Sequence, residues 1–219
     1  MKSLTYSQSI HHALRTALAN DSSILCYGLG VTDPKGIFGT TTDLHAEFGD
    51  DRVFDMPTSE NAMTGIGIGA SLLGHKVVMT HQRLDFCLLA MDQIVNGAAK
   101  IHFMYGGELN SPITIRLIIG RGWGQGPTHS QNLQAWFAHI PGLIVIMPTF
   151  PCDAYDLLLE SIDNPNPIIF IEHRWLHDTY DLADTIMKRE KVTIGKARLC
   201  RVGIDITIIT NPRKHIHKH

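Results

Sequence analysis

Short, nearly all-apolar runs alternate along this chain with longer stretches in which apolar residues recur every three to four positions. The first kind reads as strand at 23–27, 52–54, 76–80, 113–119, 143–147 and 167–172. The second reads as helix at about 5–20, 58–73, 85–105, 129–139 and 151–163. Strand followed by helix, repeated, is the pattern of a parallel sheet covered on both faces. Runs as apolar as 113–119 fit central strands buried on both sides. The expected fold is therefore a three-layer α/β/α unit with a mainly parallel central sheet. In such sheets ligands gather beyond the carboxyl ends of the strands. Glu60 and His129 each follow a strand and are expected to open a helix, which places both at that edge.

After Glu172 the pattern breaks into His173-Arg174-Trp175-Leu176-His177-Asp178 and then the charged run Met187-Lys188-Arg189-Glu190-Lys191. The compact domain is expected at 1–175, with a connector at 176–204. A last strand-like run, Asp205-Ile206-Thr207-Ile208-Ile209-Thr210, precedes a basic, histidine-bearing tail, so 205–219 reads as the first strand of a further domain plus the tail.

With 219 residues the chain can bury one good core, or one domain and the start of another. A formal net charge of -2 offers no basic excess for nucleic acid or an anionic membrane. No apolar run approaches the length of a membrane span. The segment Met1-Lys2-Ser3-Leu4-Thr5-Tyr6 lacks the apolar core of a signal peptide, so a cytoplasmic protein is expected. Cys26, Cys87, Cys152 and Cys200 form no C-x-x-C pair and read as reduced core thiols. His11-His12 occupy adjacent helical positions that face apart, and His215-x-His217-x-His219 has no carboxylate or thiolate beside it, so neither reads as a built metal site. Gly65-x-Gly67-x-Gly69 lies inside a helical stretch with Ala70 where a dinucleotide fingerprint needs glycine, so NAD binding is rejected. Its glycines read instead as points of close backbone approach.

Glu60 ends the run Asp55-Met56-Pro57-Thr58-Ser59-Glu60, where Pro57 stops a strand and Thr58 or Ser59 can cap the next helix. Taken locally, Glu60 reads as a capping carboxylate in the first turn, favoured by the helix dipole. His129 follows the glycine-rich loop Gly120-Arg121-Gly122-Trp123-Gly124-Gln125-Gly126-Pro127-Thr128. Such a loop lets backbone approach a ligand or another chain, and histidine is suited to proton transfer near neutral pH. A helix-start histidine bonded to a backbone carbonyl is the plainer reading.

Ordered motifs tilt both readings. They are Phe48-Gly49-Asp50-Asp51-Arg52-Val53, Pro57-Thr58-Ser59-Glu60, Asp85-Phe86, Met91-Asp92-Gln93-Ile94-Val95-Asn96, Ala98-Ala99-Lys100, Met104-Tyr105-Gly106-Gly107, His129-Ser130-Gln131 and His139-Ile140-Pro141-Gly142-Leu143. In this order the chain resembles the beta subunit of the thiamine diphosphate-dependent 2-oxoacid dehydrogenases of pyruvate, branched-chain and acetoin type, over about residues 5 to 200. The resemblance implies a thiamine diphosphate-binding fold, pyrimidine-binding (transketolase-like) domain, stopping before most of a carboxyl-terminal domain. It implies that Glu60 bonds the N1′ nitrogen of the aminopyrimidine ring and favours its reactive tautomer. It implies that His129 lines the channel and assists transfer to a lipoyl group. Implied partners are an alpha subunit holding Mg2+ and the diphosphate, a second beta chain, and a lipoyl acyltransferase. The sequence carries no Gly-Asp-Gly run with a later Asn-Asn, which agrees with a site shared between chains.

Departures qualify this expectation. Gly28-Leu29-Gly30 stands where the family commonly has an acidic pair. Arg83 stands where an aromatic often packs on the aminopyrimidine ring, and its charge suits an acidic, unusual 2-oxoacid. A structural K+ in relatives matches Ile113, Ser161, Ile162, Asn164 and Asn166, with Asn164 in place of a usual Asp. The competing functions are the pyrimidine-binding part of a split transketolase or 2-oxoacid decarboxylase, and a catalytically silent interaction subunit.

Overall fold

Thr5 opens the fold with a capping box: its hydroxyl accepts the Gln8 N–H at 3.2 Å, and Gln8 Oε1 accepts the Thr5 N–H at 2.9 Å. The computed structural model describes residues 4–181 and, beyond them, 191–197, 199, 202–207 and 209. In chain order come α1 Tyr6–Asn20, β1 Ile24–Gly28, α2 Leu44–Phe48, β2 Val53–Asp55, α3 Glu60–Leu72, β3 Lys76–His81 and α4 Leu84–Cys87. Then follow α5 Ala99–Met104, β4 Ile113–Ile119, α6 Gln134–Ala138, β5 Ile144–Ile146, α7 Pro151–Asp163 and β6 Ile168–His173.

All six strands are parallel, in the order β2-β1-β3-β4-β6-β5. Every residue of β4 is buried, as the apolar run requires. One core joins α1 and α7 to one face of the sheet through Ile10, Leu14, Leu158 and Phe170. The other joins α3 and residues 84–101 to the opposite face through Met63, Ile94, Ile115 and Leu117. Both faces are thus covered, and the expected three-layer α/β/α fold is what forms.

Two expected helices differ. The stretch 85–105 is broken into α4, a 3-10 turn at 88–90, a π-helical stretch at 93–98, and α5. Gly97 is a weak helix former, and the wide turn sets it against Ile68 of α3, where an added Cβ would lie 3.4 Å from that side chain. The stretch 129–139 reduces to a 3-10 turn Pro127–His129 and the short α6. Its backbone groups are spent elsewhere: the Gln131 N–H donates to Asp85 Oδ1 at 3.2 Å and the His129 carbonyl accepts the Trp123 indole N–H at 2.9 Å. His129 therefore closes a turn and does not open a helix.

Several motif residues are structural. Gly142 sits at φ +100° with its α-carbon against the Ala99 carbonyl, where any Cβ would overlap, and Lys100 Nζ donates to Pro141 O at 2.8 Å. Of the three alternating glycines, Gly67 packs against the Tyr27 hydroxyl, whereas Gly69 has nothing within 4 Å. Close approach thus applies at Gly67 and, against Gln93 at 3.1 Å from an added Cβ, at Gly65, in both cases to a side chain.

Packing does not stop at residue 175. Leu176, His177 and Asp181 are buried, and Val192 and Ile194 pack on the core. The described residues of the expected strand 205–210 form no strand pairing, and 208 and 210 lie outside the described residues. The charged run at 187–190, Cys200 and the histidine tail lie there too. No helix among the described residues is long and apolar enough to cross a membrane.

Candidate functional site

Parallel strands send their carboxyl ends to one edge, and the loops leaving that edge carry the chemistry. Glu60 follows β2, Arg83 follows β3, the glycine-rich loop to His129 follows β4, and Arg174 follows β6. The topology therefore brings the two sequence-selected residues to the same rim.

Ser59 is the N-cap of α3 but makes no capping bond through its side chain. Glu60, the first helical residue, is only 7% exposed. Among the described residues no hydrogen bond or ion pair reaches its carboxylate; only its backbone carbonyl is used, by Thr64 Oγ1 at 2.7 Å. Glu60 keeps its first-turn place but lies nearly buried, which a plain capping carboxylate does not need. A nearly buried carboxylate without a protein partner is costly and marks a place for a ligand donor. Burial, and then the nearby charge of Glu60, pushes the Cys87 thiol up, so Cys87 is neutral beside it.

Phe86, next to Cys87, is half-buried, and its ring meets His129 edge-on at 5.2 Å. Glu60 and His129 thus lie on either side of the segment Phe86-Cys87, Glu60 near Cys87 in charge and His129 against the Phe86 ring. His129 Nδ1 lies 3.2 Å from Thr128 Oγ1, and its Nε2 makes no bond among the described residues. Asp85 anchors the turn after His129 through Gln131, and Trp123 anchors His129 itself.

Arg83 does not present a free stacking face. The Trp123 ring lies 4.1 Å and the Phe38 ring 5.3 Å from its guanidinium carbon. The ring that meets the His129 imidazole is that of Phe86, in sequence only one half of the Asp85-Phe86 motif. Its available signal was its place just beyond the carboxyl end of β3, at the ligand edge of the sheet.

Where the acidic pair is lacking, an acid arrives from elsewhere. Asp55 at the end of β2 accepts the Val31 N–H and the Thr32 hydroxyl, each at 2.7 Å, and so shapes the loop after β1. Gly28 packs against the Thr80 carbonyl, with a Cβ position 2.5 Å away. No side chain fits there.

The cation set lies at the opposite rim, at the end of α7. Ser161 Oγ donates to Leu157 O at 2.6 Å, and Asn164 Oδ1 accepts both Asn166 N at 2.9 Å and Nδ2 at 3.1 Å. The Ser161 carbonyl also accepts the Asn164 N–H at 3.2 Å, so this turn is held by bonds within the protein. Among the described residues no group of three or more His, Cys, Asp or Glu is arranged to hold a metal ion.

A family model described as transketolase, pyrimidine binding domain, matches residues 2–178. The chain belongs to that family. Among sequence relatives, "Pyruvate dehydrogenase E1 component subunit beta" of Staphylococcus aureus is 37% identical over 211 residues, which is 96% of this chain and 64% of the relative. The protein of the same name from Staphylococcus epidermidis is 36% identical over the same shares. The chain thus spans 64% of the length of these relatives. A solved structure titled "Split gene transketolase, inactive beta4 tetramer" matches with a TM-score of 0.63 at 16% identity, covering 78% of this chain and 52% of that one. That likeness supports the pyrimidine-binding fold alone. In this fold the rim bearing Glu60 is the carboxyl edge of the pyrimidine-binding sheet.

Proposed function

We propose that this chain is the pyrimidine-binding half-site, of beta-subunit type, of a thiamine diphosphate-dependent 2-oxoacid dehydrogenase that transfers an acyl group to a lipoyl carrier. The observation that carries the reading is the Glu60 carboxylate, 7% exposed and without a partner among the described residues, at the ligand edge of a pyrimidine-binding fold. Such a group fits the N1′ nitrogen of an aminopyrimidine, which becomes an N–H donor in the imino tautomer that a buried carboxylate favours.

Thiamine diphosphate, when bound, supplies the electron sink for decarboxylation. Glu60 holds the proton at N1′. Phe86 offers a flat apolar surface for the ring, and the neutral Cys87 keeps the wall apolar, which strengthens the Glu60 hydrogen bond by excluding water. His129, half-buried with Nε2 unengaged, delivers a proton as the dithiolane of a lipoyl group opens.

The diphosphate and Mg2+ belong to an alpha-type partner, because this chain carries no matching motif. Exposed apolar residues in the α3–α5 layer, Ile66, Leu73, Leu89, Phe103 and Met104, support burial against the alpha subunit and a second beta chain. The third partner is a lipoyl acyltransferase, and the place of action the cytoplasm. A K+ ion at the end of α7 rests on the resemblance.

With an alpha-type partner supplied, decarboxylation of 2-oxoacids is measured with an artificial electron acceptor. Glu60→Gln is expected to lower turnover by roughly a hundred- to ten-thousand-fold with a melting temperature no lower than that of the wild type. Near wild-type turnover would make Glu60 a structural carboxylate, and no decarboxylation of any 2-oxoacid by the wild type would refute the function.

A further inference from the structure

Beside Glu60 and His129, the same edge carries a file of cations interleaved with rings. Arg83 lies between Trp123 at 4.1 Å and Phe38 at 5.3 Å, and Arg174 lies 5.1 Å from the Phe38 ring. Arg121 stands 5.3 Å from Trp175, whose indole donates to the Arg121 carbonyl at 2.9 Å. Arg83 and Arg174 thus flank the Phe38 ring, and Arg121, on the loop that carries His129, lies over Trp175, the residue after Arg174.

Few carboxylates face them. Asp85 is 8% exposed and accepts the Gln131 N–H, and the exposed Asp178 lies 3.6 Å from Arg174. Among the described residues neither Arg83 nor Arg121 has an ion-pair partner. Arg83 Nη1 donates to Gln82 O at 2.9 Å and Nη2 to Gln125 Oε1 at 3.2 Å, while its Nε is buried without a partner. A desolvated guanidinium is charged at any ordinary pH, so its only side-chain acceptor is a neutral amide. Gln125 is exposed, on a loop where Gly120, Gly122, Gly124 and Gly126 all have positive φ. Its amide can turn outward without disturbing the core.

We propose that the Arg83, Arg121 and Arg174 cluster binds the distal carboxylate of a 2-oxo dicarboxylic acid, with the Gln125 amide oxygen standing where a ligand oxygen goes. This rests on the proposed function and names its substrate class. A 2-oxoacid with an apolar tail would leave the Arg83 Nε, buried without a partner among the described residues, uncompensated, a cost that a second carboxylate relieves. The link to the reacting end is Trp123, which packs on Arg83 and donates to the His129 carbonyl.

The test uses the full chain and glutarate, a dicarboxylate with no keto group, against propionate and inorganic phosphate at fixed ionic strength. Trp123 reports binding by fluorescence, and calorimetry gives Kd. Glutarate and propionate are both expected to bind through one carboxylate, and Gln125→Glu, which supplies an internal carboxylate to Arg83, to weaken glutarate by about tenfold. Arg83→Gln should do the same, and Gln125→Glu covers the case in which Arg83→Gln unfolds, since it keeps Arg83 between its rings. No glutarate binding, binding indifferent to Gln125→Glu, or phosphate competing as well as glutarate would overturn the proposal. The assembled enzyme separates this failure from the larger one. Decarboxylation confined to 2-oxo monocarboxylates refutes the substrate class and leaves the function standing. Glutarate binding without any decarboxylation leaves the anion site and refutes the function.

Discussion

Arg116 and Glu172 form a buried ion pair whose removal tests how this fold is held together. Both are 0% exposed. Arg116 on β4 donates through Nε to Glu172 Oε1 at 2.6 Å and through Nη2 to Oε2 at 3.0 Å, a two-pronged match across to β6. Its remaining donors reach Thr80 Oγ1 at 3.3 Å and Thr40 Oγ1 at 2.9 Å, and His177 Nε2 lies 3.5 Å from Oε2. The pair therefore ties two central strands to the loop at 40 and to the segment after β6. Burial alone would raise the Glu172 carboxyl; the Arg116 guanidinium overrides it, with His177 helping, and holds it at about 2.

Arg116→Met leaves that carboxylate buried and alone, at a cost of about 3–5 kcal/mol. For a chain of this size that corresponds to a fall in Tm of roughly 6–20 °C. Replacing both partners, as in Arg116→Met with Glu172→Leu, removes the stranded charge, and most of the loss should return. The pH dependence carries a sign. In the wild type the depressed carboxyl stabilises fully above about pH 4.5 and loses that contribution as pH falls through about 2. In Arg116→Met burial dominates and the carboxyl rises, so protonation relieves the variant, and its deficit shrinks between pH 7.5 and 5. Urea and thermal unfolding followed by circular dichroism at the two pH values measure both effects. A single-variant loss below about 1 kcal/mol, or a double variant as unstable as the single one, would refute the reasoning.

His129→Ala should spare decarboxylation with an artificial electron acceptor while impairing acylation of a lipoyl domain; equal loss in both assays would assign His129 to organising the pocket. Burial holds His81, 2% exposed at the end of β3, down at about 4 from an ordinary 6.5. Its neutral form stabilises fully above pH 6.5, and up to about 3 kcal/mol is lost as pH falls towards 4. That slope should vanish in His81→Phe, and a variant with an unchanged acid profile by urea titration would assign the slope elsewhere. Gly142→Ala forces a side chain into the Ala99 carbonyl at positive φ and should cost at least about 1–3 kcal/mol. Gly69→Ala, on the open side of α3, should gain about 0.5–1 kcal/mol; thermal melts that rank the two the other way would contradict the packing described.

By itself the sequence determined the layered α/β/α architecture, because strand and helix periods alternate cleanly and the apolar run 113–119 can only be a central strand. It also singled out Glu60 and His129, through strand-then-loop placement and ordered motifs. Tertiary structure decided the rest, because those outcomes depend on groups distant in sequence. Glu60 is buried, without a partner among the described residues, because α3 lies against residues 84–98. The helix expected at 129–139 is shortened because Asp85, 46 positions away, takes the Gln131 N–H. Arg83 loses its free stacking face to Trp123 and Phe38, and Phe86 meets His129, because loops after different strands converge at one sheet edge. Pairing of Arg116 with Glu172 likewise needs β4 and β6 side by side, an adjacency set by the order in which parallel strands assemble.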